Sequence, residues 1–186
     1  LELRERAIHD QQGRPEWLGI ELGTDMEKFQ FGLVGTSLYG GQCGIALFFA
    51  SLVQNATDPV VAREFRTEVN RILQPLLTAI KESEDYEILR WLRDQPLGLI
   101  GTGGLLLTLL ELHHQDFQFK DNNLLEAANR VVAVLDSKRI SRDESYDVMA
   151  GGAGLIGPLL RLQRATGKDG PLELATVIGE HLISHQ

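Results

Sequence analysis

Three stretches of the sequence share one pattern: LYGGQCGIALFFASLV from Leu38, LGLIGTGGLLLTLLEL from Leu97, and VMAGGAGLIGPLLRL from Val148. Each carries Gly-x-x-Gly followed at once by an apolar run. The pairs are Gly41/Gly44, Gly101/Gly104 and Gly151/Gly154, spaced 60 and then 50 residues. A motif recurring at such an interval marks a repeat architecture, each unit one supersecondary element.

The runs after the glycines are apolar almost all round: Ile45, Ala46, Leu47, Phe48 and Phe49, then Leu105, Leu106, Leu107, Leu109 and Leu110. A helix without a polar face is predicted to be buried on every side. Between these runs lie helices of another kind. In DPVVAREFRTEVNRILQPLLTAIKES, Asp58 is a plausible cap and Pro59 stands at the first helical position. Val61, Phe65, Val69, Ile72, Leu73, Leu76 and Ile80 form one apolar stripe, with Arg63, Glu64, Arg66, Glu68 and Arg71 expected outside. Pro75 is expected to bend it. DNNLLEAANRVVAVLDSK repeats the pattern through Leu124, Leu125, Ala128, Val131, Val132 and Leu135. DGPLELATVIGEHLISHQ does so again, with Pro171 near its start.

Buried helices thus alternate with half-exposed ones over residues 1–186, read as a single domain. The predicted fold is all-α: a ring of helical hairpins, an α/α barrel or toroid, here only a partial ring. Glycine turns let the inner helices approach closely near the axis, because no Cβ holds them apart. Their converging N-termini are expected to form a rim of unpaired amides that favours anionic groups. The opening LELRERAIHDQQG is helix-like. Trp17, Leu18, Ile20 and Leu22 then suggest a short, irregular or hairpin-like lead-in.

Composition narrows the function. A net charge of −8 with no Lys/Arg cluster argues against a nucleic-acid surface. No apolar run approaches the ~18 residues of a membrane helix. The single cysteine, Cys43, excludes an internal disulfide and a multi-cysteine metal site, and suits a reducing cytoplasm. Cys43 reads as a small buried residue at the start of an inner helix. His181 and His185 are spaced i, i+4, but no third ligand lies near, so solvent-facing helix positions are expected. His113 and His114 close the second inner helix, where cations are favourable. Asp147 stands just before Gly151. Spacing alone favours a capping or loop acid, and a carboxylate at the mouth of a site is the alternative.

YDVMAGGAG and SLYGGQCGIALFFA, with the third motif, resemble the lanthionine synthetase C-like family. The lead-in AIHDQQGRPEWLGIEL before SLYGGQCGIALF looks most like the start of the cyclase domain of a type II lanthipeptide synthetase. The resemblance implies an α/α toroid that adds peptide cysteine thiols to dehydroalanine or dehydrobutyrine, making lanthionine or methyllanthionine rings. It implies a zinc ion that activates the thiol, and a precursor peptide as substrate. Asp147 matches the family aspartate implicated in acid/base chemistry. The zinc ligands, two cysteines and a histidine, belong to later repeats, so none is expected in this chain. Gly40 departs from the acidic residue often found at its place. The chain opens on Leu1 and reads as the N-terminal portion of a longer protein. An upstream dehydratase domain and the downstream half of the toroid belong elsewhere, and the isolated chain is expected to be inactive and to self-associate. Another LanC-like thiol-adding toroid protein, or a non-enzymatic helical-hairpin scaffold that binds peptide, are the alternatives.

Overall fold

A computed structural model describes residues 2–22, 29–82 and 91–185. They fall into two compact units, Leu1–Gln74 and Pro75–Gln186. The chain is all-α apart from two short antiparallel hairpins at the front.

The first unit departs from the sequence reading at its opening. Only α1 (Glu2–Glu5) is helical there. Ile8–His9 (β1) pairs instead with Pro15–Glu16 (β2). The reason is Asp10. Its Oδ1 accepts the N–H groups of Gln12 at 2.8 Å and Arg14 at 2.9 Å, while Gly13 turns through a φ of 73°. A carboxylate that captures nearby amides competes with the helix for them. Leu18–Leu22 (β3) and Phe29–Leu33 (β4) form the expected second hairpin, whose loop lies outside the described residues. Trp17 is buried, and its Nε1 donates to Leu3 O at 2.8 Å.

Helix α2 (Gln42–Asn55) follows the first glycine motif and α3 (Pro59–Glu82) the Asp58–Pro59 start. Phe49 is fully buried against Phe65, ring centroids 5.9 Å apart. Phe48, one position or 100° further round, is 43% exposed, so α2 is not buried on every side. The stripe on α3 is buried from Val69 to Ile80, and the helix continues through Pro75. Ser83, expected at its end, lies outside the described residues. Glu68 overturns its expected exposure: it is buried, within 3.4 Å of Arg4 and 3.8 Å of Arg71. The folded-back α1 supplies the counter-charge that a helical opening could not.

In the second unit, α4 (Thr102–His114) and α7 (Ala153–Thr166) pack side by side. Helix α5 (Leu124–Ala133) covers α4, and α8 (Gly170–Ser184) covers α7. This is the predicted alternation of inner and outer helices. Leu105, Leu106, Leu109, Leu110 and Leu112 are buried round α4, as expected of a helix flanked by two others. Leu155, Leu159, Leu162 and Ile178 continue the core, each contributing about 1.5–3 kcal/mol of burial. Arg130 of α5 donates to the carbonyls of Lys81 at 2.7 Å and Ile80 at 3.3 Å, so the last turn of α3 has partners. The four-residue α6 (Ser137–Ile140) starts from its cap Asp136 and leads into the third motif.

Candidate active site

The loop from Asp143 to Gly152 joins α6 to α7. Asp147 is exposed on it, and its Oδ1 accepts the N–H groups of Ala150 at 2.7 Å and Gly151 at 3.4 Å. These bonds, that from Ala150 foremost, hold the carboxyl below the usual aspartate range. Asp147 therefore closes the turn ahead of the helix. The acid at the helix start is Asp143, whose Oδ2 accepts the Gly152 N–H at 2.6 Å. Sequence reasoning missed Asp143, since a carboxylate nine residues from its amide falls outside any capping pattern.

The second repeat braces this loop. Gly98 donates to Ala150 O at 2.9 Å, Leu99 to Val148 O at 3.1 Å and Ile100 to Met149 O at 2.9 Å. The backbones run so close that a Cβ on Gly98 would lie 2.6 Å from the Met149 carbonyl carbon. Gly98 is a second residue that the motif search passed over.

Each inner helix starts in the same way, with its first turn folded onto the residue six positions back. A Cβ on Gly44 would strike Leu38 O, one on Gly154 would strike Val148 O, and one on Gly103 would lie 3.0 Å from Leu97 O. Geometry thus gives Gly103, next to Gly104, the place that Gly44 and Gly154 hold. Gly101 is crowded by the Pro96 carbonyl, and Gly151 by Asp147 N at 2.6 Å. Gly41 is crowded in turn by the Ser37 amide N at 2.5 Å.

The expected rim of unpaired amides is not met at α4 and α7. Thr102 donates to Pro96 O at 2.8 Å, Gly103 to Leu97 O at 2.9 Å, and Gly152 to Asp143. The close fold-back that makes glycine necessary also supplies carbonyls to these amides. A cleft of ≈ 410 Å³ lies beside the loop, lined by Gln95, Pro96, Arg139, Asp143, Ser145 and Ala150 among others.

The remaining candidates lie elsewhere. Cys43 is fully buried at the start of α2. His113 and His114 are exposed in the last turn of α4, beside Arg161 and Arg164 on a cleft of ≈ 690 Å³. His185 is exposed as expected, but His181 is half-buried and its Nε2–H donates to Asp143 O at 2.9 Å. Among the described residues, no group of three or more His, Cys, Asp or Glu could hold a metal ion. Nor is any helix among them long and apolar enough to cross a membrane.

Inner helices that spring from glycine turns, backed by outer helices and flanked by an acid-bearing loop, define an α/α hairpin-repeat protein. A family model described as lanthionine synthetase C-like protein matches residues 32–186, and the chain belongs to that family. The match takes in all three glycine motifs and the Asp147 loop. No individual curated protein matches the chain.

Proposed function

We propose that this chain is part of a lanthipeptide synthetase cyclase acting on a dehydrated precursor peptide in the cytoplasm. A cysteine thiolate adds to the β-carbon of dehydroalanine or dehydrobutyrine. The C–S bond forms, the alkene pair moves toward the carbonyl as an enolate, and the α-carbon then takes up a proton. Family membership supports this reading, and the observation that carries it is Asp147, an exposed carboxylate held by backbone amides in the third motif's loop.

The family implies a zinc ion that activates the thiol. The described residues of this chain do not fit such a site, since they hold no ligand cluster and Cys43 is buried. We place the ligands in later repeats of the parent protein, and derive here only what this chain does. With its Oδ1 bound to two amides, Asp147 is ionised at neutral pH. It serves as proton acceptor, or as anionic partner of a protonated group, and not as the first proton donor.

Asp147→Asn tests this in the protein that carries the chain. Asn keeps an oxygen for the Ala150 amide, so the turn survives while the charge is lost. Cyclisation of a dehydrated peptide, followed by mass spectrometry with thiol alkylation, is expected to slow by about 10²-fold or more. An unchanged rate would remove Asp147 from the chemistry.

A further inference from the structure

Tyr146, the residue before Asp147, has a backbone φ of 51°. Among the described non-glycine residues with positive φ, the other two are Asp116 and Asp121. Aspartate tolerates this region through its short polar side chain, whereas an aromatic residue there is an outlier that its surroundings must enforce. Those surroundings are on the page. The Tyr146 ring stacks on His185 with centroids 5.1 Å apart and planes 24° apart, and lies 5.6 Å from His181. The two imidazoles are 4.5 Å from each other, on successive turns of α8.

Both imidazoles are themselves oriented. His181 Nε2–H donates to Asp143 O, and Asp143 in turn takes the Gly152 amide through its carboxylate. His185 Nδ1 lies 2.9 Å from His181 O. The end of α8 therefore grips the Asp147 loop at two points, the Asp143 carbonyl and the Tyr146 ring. Between them sits the peptide that carries Asp147.

We propose that Tyr146, clamped against His181 and His185, is a positioning residue that sets the direction of the Asp147 carboxylate. As a contribution to chemistry this rests on the cyclase reading; as a statement about the loop it stands alone. The alternative, that Tyr146 merely tolerates a loop shaped by the Gly98 brace, predicts different behaviour when the ring is removed.

The readouts are the Asp147 carboxyl titration by ¹³C NMR and hydrogen exchange of the Ala150 amide, both on this chain. Tyr146→Gly is the decisive variant, because glycine adopts positive φ freely but offers no ring. The clamp predicts that Tyr146→Gly and His181→Ala speed Ala150 exchange at least tenfold and bring the Asp147 titration up to the ordinary aspartate range. Tyr146→Phe keeps the ring and is expected to leave both readouts as they were. His181→Gln keeps an N–H for the Asp143 carbonyl and is expected to restore much of the protection lost in His181→Ala. Exchange of core amides on α4 shows that each variant is folded. Unchanged exchange and titration in folded Tyr146→Gly would overturn the proposal, as would Tyr146→Phe acting like Tyr146→Gly. Failure of the two ideas is separable. A normal cyclisation rate in Asp147→Asn sinks the cyclase role without touching these readouts, and an unmoved titration sinks the clamp without touching that rate.

Discussion

Gly154 and Gly157 lie three residues apart in one helix, and their backbones have opposite tolerance for a side chain. A Cβ on Gly154 would strike the Val148 carbonyl and lie 3.0 Å from the Gly98 Cα, both backbone atoms that cannot swing aside. A Cβ on Gly157 would meet nothing within 4 Å. Gly154→Ala is therefore expected to destabilise the protein by at least about 1–3 kcal/mol in urea unfolding. Gly157→Ala should stabilise it by about 0.5–1 kcal/mol, because helical glycine is costly where nothing needs it. Nothing in the string AGGAGLIG distinguishes the two. The motif marked Gly154 correctly, yet its second-repeat counterpart by contact is Gly103, beside the Gly104 that spacing selected. Only the position of a carbonyl six residues back separates them. Asp147 shows the same limit. Its sequence place allowed a cap or a site acid, and the structure shows a turn-closing carboxylate whose capping role at the helix start has passed to Asp143.

Among the elements, the outer helices were the most legible. Their apolar stripes and their starts at Pro59, Asn123 and Pro171 lie within the chain's own local pattern, and α3, α5 and α8 form there. The Asn123 side chain accepts the Glu126 N–H at 3.0 Å. The opening stretch was not legible, because helix propensity over LELRERAIHDQQG loses to the Asp10 turn and to the Trp17–Leu3 bond. Nor does any period reveal what the four-residue α6 does. Its Arg139 donates to Leu92 O at 3.0 Å, to Gln95 O, and to Thr102 Oγ1 at 3.3 Å. One guanidinium thus joins the end of the helical turn at 91–94 to the first residue of α4. Removing it strips charge-assisted bonds from carbonyls 37–47 residues away, which should cost about 1.5–3 kcal/mol. Arg139→Lys is expected to recover little of this in thermal unfolding, since an ammonium cannot present the same fork. Recovery by lysine to wild-type stability would show that charge alone matters there.

At the scale of the molecule, the front hairpin carries a feature that its sequence half disclosed. The register pairs Leu18 with Leu33 and Ile20 with Phe31, so these side chains share one face. Ile20, Phe29 and Phe31 are 71%, 77% and 72% exposed. An apolar face of this kind favours association. The expected self-association of the chain should appear as concentration-dependent sedimentation, and the Ile20→Thr, Phe31→Thr double variant should reduce it. Its stability should change by no more than about 0.5 kcal/mol, because both side chains already face water. Sedimentation unaltered by the double variant would move the contact to another surface. By itself, the sequence determined the helices, their alternation of buried and half-exposed faces, and membership of the family. Those rest on short-range periodicity and on motifs that recur along the chain. Tertiary structure decided which glycines are obligatory, that the inner-helix amides have partners, and what holds the Asp147 loop. Each of those outcomes depends on a backbone carbonyl, a guanidinium or an aromatic ring brought in across the fold. Such a partner has no period of its own, so it leaves no local trace in the sequence.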